Sequence, residues 1–225
     1  MTPLSIIVPT LNEAVAIAAT LEALQPLRAA GYELIVVDGG SADGTPLRAA
    51  AHVDVLLQVT RGRARQMNAG ADVAQGAVLW FLHADTLPPP QAGELILEGL
   101  ARSGRDWGRF DVRLSGAHPL LRVVERLMNL RSRITGIATG DQGVFVRRDV
   151  FERLGGFSDI ELMEDIELSC ALKRLGPPLC LDTPLLSSSR RWEQRGIVRT
   201  ILLMWSLRLA YALGISPARL MRWYR

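Results

Sequence analysis

A mostly parallel α/β sheet covered by helices on both faces is the fold this sequence predicts, on three observations. Short runs rich in β-branched or large apolar residues recur at 4–8 (LSIIV), 34–37 (LIVV), 53–59 (VDVLLQV) and 78–82 (VLWFL). Between them, 12–24, 45–51 and 63–74 carry apolar residues at helical spacing, and strand–helix alternation of this kind builds a parallel sheet. Each apolar run then ends in polar, charged or glycine-rich residues: PTLNEA (9–14), DGGSADGT (38–45), TRGRARQMNAG (60–70) and HADT (83–86). Ligands of such sheets bind beyond the carboxyl ends of the strands, so four such tips along one edge describe a site.

The second half is less regular. Residues 87–104 predict a turn and a helix, with the prolines 88–90 as a local turn. WGRFDVRL (107–114) alternates like a strand, although Trp107 and Phe110 are out of strict phase. Residues 118–133 read as a helix, 143–148 (GVFVRR) as a strand, 149–157 as a short helix closed by glycine, and 164–175 as another helix. SSSRRWEQRG (187–196) reads as a flexible serine-rich loop. There are no repeats and no low-complexity linker.

At 225 residues with 48% hydrophobic and 22% charged residues, the chain can build a sizeable core. Its net charge is only +3 and no basic run interleaves with aromatics, which argues against nucleic acid as a partner. Nearly all the positive charge is arginine, Lys173 being the single lysine. Cys170 and Cys180 have neither CxxC nor zinc spacing, so free thiols of a reducing compartment are expected. Met1 leads straight into an apolar strand with no charged leader or cleavage site, from which a cytoplasmic protein is expected.

The chemistry sits at the strand tips. Asp38 opens a glycine-rich turn where a carboxylate can accept from a nucleotide's ring or ribose donors, with Gly40 allowing close backbone approach; the competing reading is an Asx turn, with Asp43 capping the next helix. A dinucleotide fingerprint GxGxxG is absent, and an aspartyl-phosphate motif would need an acid where Gly40 stands. His83 and Asp85 are an imidazole and a carboxylate two residues apart, a donor set suited to Mn²⁺ more than Mg²⁺ once phosphate oxygens and water join it. Arg61, Arg63 and Arg65 precede Asn68 near a helix start, where guanidinium groups can reach phosphate oxygens; a solvated basic face is the alternative. Glu164 and Asp165 open a helix, either as dipole partners or as an acid–base pair. Arg191 and Trp192 lie where a loop could fold over a diphosphate, the indole stacking on a sugar.

Taken in order, SIIVPTLNEA, VVDGGSADGT, HAD in place of an Asp-x-Asp, GDQGVFVRRDVFERLGGF and MEDIEL resemble a family 2 glycosyltransferase of the GT-A fold, a Rossmann-like α/β architecture. The variants RGRARQMNAGA, FLHADT and SSRRWEQRG resemble a bacterial subgroup labelled arsenosugar-biosynthesis or radical-SAM/selenodomain-associated transferases. The resemblance implies a nucleotide-diphosphate sugar donor held by Pro9, Thr10, Asn12, Glu13, Asp38, Gly40, Arg61, Arg65, Asn68, Asp85, Arg191 and Trp192. It implies a divalent metal, Mn²⁺ or Mg²⁺, on Asp85 with His83, and Asp165 as general base beside Glu164. Arg191 and Trp192 match the end of a Gln-x-x-Arg-Trp signature whose glutamine is replaced by Ser188. A donor half at 1–104 and an acceptor half at 105–190 follow, then a C-terminal loop and helical tail at 191–225.

That tail contains IVRTILLMWSLRLAYALGI (197–215), long enough to suggest a membrane span, but Arg208 lies near its middle and is costly there. Three readings stay open: a helix packed on the domain, an interfacial helix giving peripheral membrane contact and suiting a lipid-linked acceptor, or a span. For the whole chain, a metal-dependent inverting transferase acting on a small-molecule or lipid-linked acceptor is the leading expectation. A sugar-phosphate nucleotidyltransferase and a non-catalytic nucleotide-sugar binder are the alternatives. The first would place a glycine-rich basic loop where PTLNEA stands.

Overall fold

Strand β1 (Leu4–Thr10) shows why the apolar runs are continuous. Its side chains alternate between faces, and both faces are covered: Ile6 and Val8 join one core, Ile7 the other. The computed structural model describes residues 2–224, leaving Met1 and Arg225 outside the described residues. With β2 (Glu33–Asp38), β3 (Val55–Gln58), β4 (Val78–Phe81), β5 (Thr86–Leu87), β6 (Trp107–Leu114), β7 (Phe145–Arg147) and β8 (Leu179–Ser187), β1 forms an eight-stranded sheet. The order is β3-β2-β1-β4-β7-β6-β8-β5. Strands β3, β2, β1 and β4 are mutually parallel, as expected, and β6 runs parallel to β8. Strand β7 is antiparallel to both of its neighbours.

Helices α1 (Ile17–Ala29), α2 (Thr45–Ala49) and α4 (Ala92–Ser103) lie on the Ile6 face, where Leu21, Leu24 and Ile96 pack on Leu34, Val36 and Trp80. Helices α3 (Arg63–Val73), α6 (Arg148–Arg153) and α7 (Glu164–Leu175) cover the other, where Met67, Phe151 and Leu172 pack on Ile7, Val37 and Phe81. Helix α3 approaches β1 so closely that a Cβ on Gly70 would lie 2.5 Å from Cγ2 of Ile7. Helix α5 (Pro119–Thr135) packs Leu121 and Val124 against Val112 and Leu114 of β6.

Several expectations need correction. Helix α1 starts at Ile17 rather than at residue 12 because the intervening segment is tied to the loop after β2: Asn12 N–H donates to Ser41 Oγ, Glu13 N–H to Thr45 Oγ1 and Ala14 N–H to Asp43 Oδ2, all at 2.8–2.9 Å. Strand β8 is an addition to the expected elements, and residues 187–196 are not a loose loop: Ser187 ends β8 and helix α8 (Arg190–Arg195) follows. Trp107 and Phe110 are both buried, out of phase as they are, because both faces of β6 are covered: Trp107 joins the core of Ile7 and Phe110 that of Ile6. The C-terminal apolar stretch forms α9 (Ile197–Ala212) and is followed by α10 (Pro217–Tyr224). Among the described residues no helix is long and apolar enough to cross a membrane.

Candidate active site

Parallel pairing puts Thr10 beside Asp38 at the ends of β1 and β2. Asp38 is fully buried and its four acceptor positions are taken: Oδ1 accepts from Thr10 Oγ1 and Ser41 Oγ, Oδ2 from the N–H groups of Gly40 and Ser41. Asp38 makes the contacts of an Asx turn and shapes the loop that faces the edge. The Gln66 side chain adds to the same corner by donating to the carbonyls of Thr10 and Val37 at 2.8 Å. Asn12, in the left-handed region at φ 54°, accepts from Ala42 N–H and is exposed. Asp43 accepts from Thr45 and Ala14, the hydrogen bond from the Thr45 hydroxyl first among the causes that hold its carboxyl below the usual range.

Beyond β4 the half-buried Asp85 makes no hydrogen bond or ion pair through its carboxylate among the described residues, while its carbonyl accepts from Ser188 N–H at 3.2 Å. Arg190 and Arg191 arrive with that segment, and the charge of Asp85 acts on both. His83 points its Nδ1 at Asp141 Oδ1, 3.1 Å away. Asp141 enters because β7 is antiparallel to β4: the segment leading into β7 meets the edge that β4 leaves, and Phe81 N–H donates to Val144 O at 2.9 Å. Burial raises the Asp141 carboxyl, but the hydrogen bond and charge of His83, with Arg63 and Arg191, hold it below the usual carboxylate range. The fit of this segment against His83 is tight, since a Cβ on Gly140 would lie 2.2 Å from Nε2.

Helix α7 brings the two acids. Asp165 Oδ2 accepts from Gly140 N–H at 2.9 Å, tying α7 to the loop before β7. Glu164 is buried with its Oε1 3.9 Å from Nε of Arg63. Burial, and then the negative charge of Asp165, push the Glu164 carboxyl above its ordinary value. The residue that turns the chain into α7, Met163, has φ 73°, and its buried side chain in the cluster with Leu207 of α9 holds that unfavourable turn. Pro9, Arg63, Met67, His83, Gly140, Glu164 and Asp165 thus line one cleft, with β-strand tips on one side and the α7 start on the other.

Of the other residues singled out in the sequence, Glu13 is paired with Arg190 at 2.9 Å and so links the β1 tip to α8. Arg61 is exposed, and Arg65 pairs with Asp159 at 2.8 Å; the arginine of that run that lines the cleft is Arg63. Asn68 is occupied with both backbone groups of Phe157. Arg191 stacks 4.3 Å over the Tyr224 ring, and the partly buried Trp192 packs against the cluster of Leu121 and Val124. Asp141, Arg131 and Arg208 join the site without standing in any of the strand-tip motifs. The charge of Asp165 acts on both Arg131 and Arg208, and α9, which carries Arg208, packs Leu207 in one cluster with Met163 at the start of α7.

The chain is matched over residues 5–154 by the family model for glycosyl transferase family 2. It belongs to that family. A probable glycosyltransferase of Bacillus subtilis, YdaM, is 28% identical over 93% of this family 2 chain and 54% of the relative's length. A mannosyltransferase from Pyrobaculum calidifontis, solved with GDP-Man and Mn²⁺, superposes with TM-score 0.67 at 21% identity over 100% of this chain and 69% of that one. Glucosyl-3-phosphoglycerate synthase from Mycobacterium tuberculosis, solved with Mn²⁺, UDP and glucosyl-3-phosphoglycerate, gives 0.66 at 21% over 95% and 81%. At these identities the structures bear on the fold, which is that of GT-A glycosyltransferases. The chain spans about half the length of YdaM.

Proposed function

We propose that this chain is a glycosyltransferase that moves a sugar from a nucleotide-diphosphate sugar to an acceptor hydroxyl with inversion, residues 1–104 serving the donor and 105–190 the acceptor. The observation that carries the reading is the carboxylate of Asp165, which lines the cleft with His83 and is anchored to Gly140, together with Asp85, two residues beyond His83 and unpaired among the described residues. Family membership supports it, as do the complexes named for the two structural neighbours. The three motif variants further support placement in the arsenosugar-associated bacterial subgroup.

A divalent cation, Mn²⁺ or Mg²⁺, fits the residues present. Among the described residues no group of three His, Cys, Asp or Glu converges, so the chain offers the unpartnered Asp85, with His83 nearby, and the remaining ligands would be diphosphate oxygens and water. When bound, such a cation neutralises the charge that builds on the leaving diphosphate. The rest is done by side chains. The β1 tip (Pro9, Thr10, Asn12, Glu13) and the Asp38–Ser41 turn form the wall for the nucleoside. Arg63 and Arg191 add positive charge on the diphosphate side. Asp165 takes the proton of the attacking hydroxyl as the acceptor oxygen bonds to the anomeric carbon and the bond from that carbon to the diphosphate oxygen breaks. Glu164, inclined to keep its own proton, is the lesser candidate for that task.

The acceptor is a small molecule or lipid-linked, and we propose that residues 197–215 give a peripheral membrane contact. Val198, Leu202, Trp205 and Leu209 form an exposed row along α9, which supports that reading.

The experiment is a transfer assay run with a panel of UDP-, GDP- and TDP-sugars and Mn²⁺. Asp165→Asn should lower kcat by roughly 10²–10⁴-fold while nucleotide-sugar affinity stays within about twofold. Asp85→Ala should weaken donor and metal binding together. Unchanged turnover in both variants, or a product with retained anomeric configuration, would defeat the assignment.

A further inference from the structure

Arg131 and Arg208, on both of which the charge of Asp165 acts, have no counter-ion of their own among the described residues. Arg131, near the end of α5, donates Nη1 to Ile137 O at 3.3 Å, but its Nη2 is buried with no hydrogen-bond partner. Arg208, toward the C-terminal half of α9, is half-buried and makes neither a hydrogen bond nor an ion pair among the described residues. Both are held where they are by packing. Leu207 is fully buried in the cluster of Met163, which directly precedes Glu164 and Asp165, so α9 packs at the start of α7. Ile137 begins the strap that runs through Gly140 to the Asp165 hydrogen bond.

The neighbouring cations differ. Arg190 is paired with Glu13, Arg65 with Asp159, Arg63 faces Glu164, and Arg191 lies over Tyr224. Burial first, and the charge of Arg208 second, bring the Arg131 guanidinium down to about 10; Asp165 acts in the opposite direction on both. Two desolvated like charges are unfavourable unless an anion is shared between them, and neither closes an ion pair with Asp165. An oxyanion accepting from Arg131 Nη2 and from Arg208 would satisfy the orphaned donor and offset the repulsion at once.

We propose that Arg131 and Arg208 form an anion subsite on the acceptor side of Asp165, and that the acceptor bears a phosphate or carboxylate close to its reacting hydroxyl. The assignment of the side as the acceptor's rests on the transferase reading above; the anion site itself does not. The same chemistry has two sources, a free hydroxy-phosphate or the phosphate of a lipid headgroup reached from the exposed row of α9.

Binding is measured with sn-glycerol 3-phosphate, with glycerol as the uncharged control, and with vesicles of phosphatidylglycerol against phosphatidylcholine. The wild-type chain should bind one of the two phosphate probes and neither control. Arg208→Gln and Arg131→Gln should each weaken that binding by roughly ten- to a hundredfold, Arg208→Lys by less, and exposed Arg199→Gln should leave glycerol-phosphate binding unchanged. Saturable binding of glycerol phosphate assigns the free source; Arg208-dependent binding to phosphatidylglycerol alone assigns the lipid source. Wild-type protein that binds neither probe, or an Arg208→Gln variant that binds as wild type, overturns the proposal. Arg208→Gln also keeps the test valid if loss of Arg131, whose Nη2 is buried, prevents folding. Nucleotide-sugar binding, followed separately by thermal shift with Mn²⁺, should be unchanged in Arg208→Gln; its absence in the wild type counts against the transferase reading and leaves the anion result standing.

Discussion

Asp38 and Asp85 are the same side chain at the ends of nearby parallel strands, yet their surroundings give them opposite tasks. Asp38 accepts four hydrogen bonds and is sealed from solvent; Asp85 accepts none through its carboxylate among the described residues. Asp38→Asn would turn a donor toward the N–H groups of Gly40 and Ser41, at a cost of about 1–3 kcal/mol for each orphaned group, visible in urea unfolding, whereas Asp85→Asn should be nearly neutral in stability. Glu164 makes a prediction in pH. Its folded carboxyl binds a proton more tightly than the ordinary 4.5. The stability it adds is therefore complete below about pH 4.5 and is lost as pH rises through the folded value. Glu164→Gln has no proton to lose, so it should match wild type near about pH 4 and unfold at higher temperature than wild type at about pH 8. A wild type that is the more stable protein at the higher pH would contradict the burial argument. At this scale residue types at the strand tips are legible in the sequence, but their occupancy is not. How many donors surround Asp38, or that Arg65 turns outward to Asp159 while Arg63 turns in, is decided by tertiary neighbours.

Elements are most legible where both covalent spacing and burial repeat locally. Helix α7 and strand β6 have the expected bounds, and the first four strands lie where the apolar runs do. What escapes a reading of the sequence follows from a single physical cause, pairing with a distant segment. The tips of parallel strands mark an edge from one side only, whereas an antiparallel strand contributes the residues that precede it, which is how Asp141 reaches His83. Strand β8, with a bulge where its register against β6 shifts at Phe110/Asp111, is interrupted by Asp182 and Pro184 and so lacks a clean period. Packing between elements gives a prediction in which two effects compete. Gly70→Ala should favour α3 by about 1 kcal/mol through helix propensity. Its methyl, however, would meet Ile7 Cγ2 at 2.5 Å in a fully buried strand, and overpacking of that kind costs about 1–3 kcal/mol. Overpacking wins, so the variant should have the lower midpoint in urea; a stabilised variant would show that α3 can lift from β1 freely.

Across the whole molecule, charge and apolar surface are unevenly shared. Residues 190–224 hold seven arginines against one glutamate, in a chain whose net charge is only +3. The same region exposes Val198, Leu202, Trp205 and Leu209 on α9 and Trp223 on α10, while α5, packed beside α9, exposes a second row of Val123, Leu127 and Leu130. A basic, tryptophan-bearing apolar surface suits the headgroup region of an anionic bilayer, where each arginine near the surface contributes about 1 kcal/mol. A second copy is the poorer partner, because apposing two such faces would bring their arginines together. The span reading fails on independent grounds: α9 is 16 residues long, and among the described residues no helix is long and apolar enough to cross a membrane. Contact should therefore be interfacial and salt-sensitive. Trp205 is 67% exposed, so Trp205→Glu with Leu209→Glu should leave the fold and nucleotide-sugar binding intact. Sedimentation with phosphatidylglycerol vesicles should fall at least about tenfold in the double variant, and wild-type binding should weaken as salt shortens the Debye length toward about 3 Å at 1 M. A wild type that stays in the supernatant with anionic vesicles at low salt would remove the membrane from the proposal and leave the acceptor a free small molecule.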